Sequence, residues 1–172
     1  MYHHNLSPVI DDRYVCFWNH VNYEFWLDFG PAGSRLDTPV FLSTGTTASG
    51  YFTGGMGMYN GVTSFTYGGV NYALKIQGSK AVYTNDFTKK SGTEIGGIST
   101  TGKPTVIGNY LLVSDRINSN IHIYDISNLS AAVNIGTISV DGSPDVIISD
   151  GTKAYIPLGY QGMLVIDTAK AF

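Results

Sequence analysis

An all-β fold built from repeated four-stranded antiparallel sheets is what this 172-residue sequence predicts, on three observations. The stretch Ile95 to Pro104, IGGISTTGKP, returns forty residues later as Ile135 to Pro144, IGTISVDGSP, with six of ten positions identical. Self-similarity at such a period marks a stacked or radial repeat architecture. The residues after each copy repeat as well: TVI, Gly108-Asn109 and YLLVSD after Pro104, then DVIIS, Asp150-Gly151 and TKAYIPL after Pro144. Asn, Asp and Gly tolerate the positive φ of tight hairpin turns, so each copy reads as strand, turn, strand. Both units then continue into a third strand, Ile121 to Ser127 and Met163 to Thr168, and the first unit adds a fourth from Val133 to Val140. A four-stranded unit of about forty residues is the size of one β-propeller blade. The expected architecture is therefore β-propeller-like, with about four blades and the last one incomplete.

Blade one is expected over residues 8–43. Ser7 to Ile10, the turn Asp11-Asp12 and Tyr14 to Trp18 give its first hairpin; Tyr23 to Phe29 gives its third strand and Thr38 to Ser43 its last. Trp26-Leu27-Asp28 aligns with Ile123-Tyr124-Asp125 and Val165-Ile166-Asp167. Seven aromatics fall within the sixteen residues from Tyr14 to Phe29, which suits either a ligand platform or a strand buried on both sides between blades. Strand alternation, with Tyr14, Cys16 and Trp18 opposite Val15 and Phe17, favours the core.

No charged residue occurs from Thr38 to Leu74. Residues 44–61 read as an insertion, and an uncharged loop of Gly and aromatics suits a surface covered by another subunit or protein. Blade two, residues 62–100, opens with the hairpin Val62 to Tyr67, Gly68-Gly69, Val70 to Ile76, continues through Lys80 to Thr84 and closes with Ile95 to Thr100. Blade three is expected over residues 104–140 and blade four over 144–172 with only three strands. A missing fourth strand leaves an edge that recruits another. Residues 1–7, a further chain, or additional sequence in a longer protein are the alternatives for supplying it.

Charged residues are 13% of the chain and the net charge is −3, with no run of Lys or Arg. Nucleic acid and anionic membranes require a basic footprint, so neither is an expected partner. No apolar run is long enough for a helical membrane span. The N-terminus MYHHNLSPVIDDR has neither a cationic start nor an apolar core and does not read as a secretory signal. The single Cys16 allows no internal disulfide and reads as a small buried apolar residue.

The strings GSPDVIISDGTKAYIPL, GMLVIDTA, NYLLVSD and NIHIYDISN resemble the repeat units of the YVTN and LVIVD groups of β-propeller proteins, often found on microbial surfaces. The likeness is strongest over Pro104 to Ala169, moderate over residues 62–103 and weak before that. The YVTN string itself is absent from Tyr110 to Asp115, and blade one carries an insertion. The shared features are structural, so the resemblance implies binding or scaffolding rather than one reaction.

In a propeller, loops joining the second and third strands share a face with those joining successive blades, and this grouping names the candidate binding residues. They are Asn19, His20 and Asn22 in blade one, Asp115, Arg116 and Asn118 in blade three, and Tyr160 and Gln161 in blade four. Uncharged amides, a Tyr and an Arg suit protein or glycan recognition. His3, His4, His20 and His122 have no metal-site spacing, and His122 alternates with Ile121 and Ile123 as a satisfied strand histidine does. Asp141, Asp145 and Asp150 read as turn residues rather than calcium ligands. No catalytic residue, metal or cofactor is assigned. The expected function is a non-enzymatic module for extracellular, cell-surface or virion-type structural assembly, whose partners are proteins, copies of itself or glycans. The alternatives are a propeller hydrolase or lyase with a metal in its channel, or a fragment of a larger propeller.

Overall fold

The structure is a computed structural model that describes residues 5–18, 24–44, 61–86 and 92–171. Blade 1 consists of β1 (Asn5–Ile10), β2 (Tyr14–Trp18), β3 (Glu24–Asp28) and β4 (Val40–Thr44), paired in chain order. Blade 2 is β5 (Val62–Tyr67), β6 (Val70–Gln77), β7 (Lys80–Thr84) and β8 (Thr93–Glu94), and blade 3 is β9 (Lys103–Ile107), β10 (Tyr110–Asp115), β11 (Asn120–Asp125) and β12 (Val133–Ser139). In blade 4 the described strands are β13 (Ile148–Ser149), β14 (Lys153–Pro157) and β15 (Met163–Asp167), followed by the short helix α1 (Thr168–Ala171). Every pairing is antiparallel between chain neighbours, so each sheet is an up-and-down meander of the β-propeller type.

Turn chemistry positions the strands. Gly68 and Gly69 have φ of 57° and 77°, the two positive values that a type I′ hairpin requires between β5 and β6. The turn between β1 and β2 achieves the same sign with Asp11 and Asp12, at φ of 55° and 48°. The aspartates aligned from the sequence also serve one purpose. Asp28, Asp125 and Asp167 each close the third strand and accept a hydrogen bond from the backbone N–H two residues on, at Gly30, Ser127 and Ala169, over 2.8, 2.8 and 3.1 Å. Such Asx turns redirect the chain out of the sheet.

β1 lies beside β5 and β5 beside β9, which sets the first strands of blades 1 to 3 side by side. Strand alternation then gives each sheet a forward face, toward the next blade, and a rear face, toward the preceding one. Phe65, Leu74 and Ile76 on the forward face of blade 2 share a core with Leu111, Val113 and Tyr124 on the rear face of blade 3. The intervening residues Leu112, Ile121 and Ile123 form the forward face of blade 3 and pack with Ala154, Ile156 and Ile166 of blade 4. Phe65, Tyr72 and Tyr83 form an aromatic cluster with ring centroids 5.3 to 6.0 Å apart.

Two local expectations change. The last strand of blade 2 is Thr93–Glu94, before the repeated phrase rather than within it. Gly96 bonds blade 3 instead: its N–H donates to Leu129 O at 3.0 Å and its carbonyl accepts from Ala132 N at 2.8 Å, before the Thr100 N–H returns to Ser79 O of blade 2 at 2.9 Å. Of residues 1–7, one offered source of a fourth strand for blade 4, residues 1–4 lie outside the described residues, while residues 5–7 belong to β1, where Asn5 and Leu6 pair with β2. Apart from its two end residues, the insertion over 44–61 falls outside the described residues, as do the side chains of Cys16 to Trp26 on which the aromatic reading rests.

Candidate binding face at the loop end of the sheets

The β10–β11 loop, the β14–β15 loop and the inter-blade turns emerge at one end of blades 3 and 4. Asp115 ends β10 with its side chain buried, and its carboxylate is committed to its own loop. It accepts from the N–H groups of Ile117 and Asn118 at 3.0 Å each and from Asn118 Nδ2 at 2.7 Å. His122 Nε2 lies 3.6 Å from the same carboxylate, and Nδ1 is 3.2 Å from Thr137 Oγ1. Burial opposes ionisation of Asp115, but the bonds from Asn118, Ile117 and His122 outweigh it and hold the group below the usual carboxylate range. Asp115 and Asn118 therefore shape the loop from which the half-exposed Arg116 emerges.

Arg116 reaches toward blade 4. Its Nη1 lies 3.7 Å from Asp145 Oδ2, while Lys103, almost completely buried, bonds the other oxygen of the same carboxylate. Burial again opposes the charge on Asp145, and the Lys103 bond, with help from the Val146 N–H and Arg116, lowers its pKa overall. This three-residue cluster joins the two blades and was not assembled from the sequence, because Lys103 and Asp145 sit 42 positions apart. One period of the repeat was the available signal. Beneath it, Thr105 Oγ1 donates to Ile147 O at 3.0 Å.

Tyr160 and Gln161 lie on a 3₁₀ turn, Gly159–Gln161, closed by the Gly162 N–H bonding Gly159 O. Tyr160 is fully exposed, at 110% of its reference surface, so its ring takes no part in the core. The Gln161 side chain lies over the inter-blade turn at Gly142. The structure thus gathers Arg116, Tyr160 and Gln161 at the same end of adjacent blades. Asn19, His20 and Asn22 lie outside the described residues.

Asp150 is a turn residue too, accepting from the N–H groups of Thr152 and Lys153, from Thr152 Oγ1 and from Tyr155 OH. Those bonds, the Thr152 N–H first, pull its pKa far down. Among the described residues no group of three or more His, Cys, Asp or Glu side chains is placed to hold a metal ion. At the opposite end of blade 1, buried Asp28 receives Arg13 Nε and Nη2 at 2.7 Å each and Arg35 Nη2 at 2.8 Å. The Arg13 bonds outweigh burial and hold the Asp28 carboxyl far below its ordinary range.

No protein-family model and no curated protein matches the chain. Among solved structures it is similar to BamB from Moraxella catarrhalis at 14% identity, covering 93% of this chain and 41% of that one with a TM-score of 0.52. A putative 6-phosphogluconolactonase from Bacteroides fragilis matches at 13% identity over 98% of this chain and 54% of that one, with a TM-score of 0.47. The chain thus spans about half the length, or less, of these structures. At such identities the likeness is one of fold, and that fold is the all-β, four-stranded-sheet architecture of the β-propeller.

Proposed function

We propose that the chain is a non-enzymatic β-propeller module, built from repeats of the YVTN and LVIVD kind, that acts in extracellular, cell-surface or virion-type structural assembly. Its loop face recognises protein or glycan. The observation that carries this reading is Tyr160, which stands free of the core on a short turn beside Gln161, at the end of the sheets where Arg116 also emerges. A projecting aromatic ring with amide neighbours stacks on a sugar or fills a pocket on a protein, at little cost in side-chain entropy. The Lys103–Asp145–Arg116 cluster balances much of the local charge, which suits a neutral partner better than a polyanion.

The test is binding of the purified chain to arrayed neutral and acidic glycans and to immobilised cell-surface extracts, with Tyr160→Ala run alongside. Neutral-glycan or protein binding that is lost in the variant supports the reading. An absence of binding to every surface, or binding that Tyr160→Ala leaves intact, overturns it.

A further inference from the structure

One pair of sheet faces meets at each joint between blades, and among the described residues blades 1 and 4 each present a face that no other blade covers. On the forward face of blade 4, Ile148, Met163 and Val165 are 65%, 58% and 46% exposed. Ile148 pairs with Tyr155, and Tyr155 with Val165, so one continuous apolar strip crosses all three strands. The same positions in blade 3 show what such a strip is for. Val165 stands two residues before Asp167 as Ile123 stands two before Asp125, and Met163 matches Ile121 in the same way. Ile121 and Ile123 are 0% and 5% exposed because blade 4 covers them.

The rear face of blade 1 supplies the other half. Val15 pairs with Leu27 as Leu111 pairs with Tyr124, and Leu27 precedes Asp28 as Tyr124 precedes Asp125. Leu111 and Tyr124 are buried against blade 2, whereas Val15 and Leu27 are only partly covered. Beside them Val15, Phe29 and Leu36 line an open, mainly apolar cavity of about 210 Å³, with Leu36 69% exposed. Ile148, Met163, Val165 and Leu36 all stay exposed in the chain, so among the described residues nothing covers the two strips.

We propose that the forward face of blade 4 docks on the rear face of blade 1 of a second copy, and that two copies close a ring through two such joints. The contact is head-to-tail and continues a joint already made between successive blades, so a chain carrying both halves is its own complement. Head-to-tail contacts close when the rotation permits and otherwise run on as filaments. Two copies are favoured because the similar BamB chain is more than twice the span matched here. Contiguous exposed apolar strips of this kind mark association surfaces. This inference names the partner for the assembly part of the proposed function and is independent of the ligand at the loop face.

Light scattering of the purified chain, with no glycan or partner present, tests it separately from the loop face. The expected mass is twice the 18.6 kDa of one chain. Val165→Asp and Leu36→Asp should each weaken association about tenfold or more, because a carboxylate would be desolvated in the joint. Mixing the two variants should restore association, since one joint of the mixed ring is then wild type on both sides. If circular dichroism shows Val165→Asp to be unfolded, Met163→Gln probes the same strip. A monomer at all concentrations, a mass that grows without limit, or a dimer indifferent to these substitutions overturns the proposal.

Discussion

Gly142 lies against the carbonyl of Leu158 so closely that a Cβ at this position would sit 2.4 Å from that oxygen. Gly102, one repeat earlier, stands in the same relation to Ser114, with 2.3 Å available. Both have φ near 139°, where L side chains are strained even in open space. Gly142→Ala should therefore destabilise the chain by about 2 kcal/mol or more. Gly151 has φ of 90° but nothing within 4 Å, so Gly151→Ala should cost about 1 kcal/mol. Urea unfolding of the two variants checks the difference, and equal losses would refute the steric part.

Ile95 and Ile135 occupy the same place in the repeated phrase, yet Ile95 is 0% exposed and Ile135 48%. Ile95→Ala should cost about 3 kcal/mol through the cavity it opens between blades 2 and 3. Ile135→Ala should fall within about 0.5 kcal/mol of wild type. Denaturation midpoints at unchanged slope measure both.

Asp28 is a buried carboxylate whose pKa is lowered in the folded chain. A lowered folded pKa gives stability that is fully present above the unfolded value, about 3.9, and is withdrawn as pH falls below it toward the folded value. Asp28→Asn should cost about 2 to 3 kcal/mol at neutral pH, since it leaves two guanidinium groups without their shared carboxylate. It should also flatten the acid limb of a stability-against-pH profile, which thermal melts between pH 2 and pH 7 would record.

Tyr160→Ala should leave the unfolding midpoint within about 0.5 kcal/mol of wild type, because the ring touches no core. A much larger loss would mean that the β14–β15 turn is structural.

The blade plan was legible because its punctuation is local. Gly68-Gly69, Gly108-Asn109 and the trio Asp28, Asp125 and Asp167 act within a few residues of themselves, so spacing alone revealed them. The divergence of Ile95 from Ile135 was not legible, since it depends on Leu129 and Ala132 of the next blade bonding Gly96. The loop face was legible as a place, and Tyr160 and Gln161 fall there as grouped. The commitment of Asp115 to its own loop had a local sign in the polar run Asn118-Ser119-Asn120, which favours an Asx turn. Pairing Lys103 with Asp145 needed the fold, because charge partners a full repeat apart leave no pattern within either copy.

The alternation of forward and rear faces also governs how the molecule comes apart. Blade 4 is tied to the rest by one described core, whereas blade 3 is tied by two. Neighbour-only coupling of this kind makes stability a sum over joints, so the blade with one described joint opens before the blade with two. Amide protons of β14 and β15 should thus exchange through a low-energy fraying of blade 4 alone, while those of β10 and β11 wait for a deeper opening. A ring closed by a second copy would give blade 4 a second joint, and the exchange gradient along the chain would flatten.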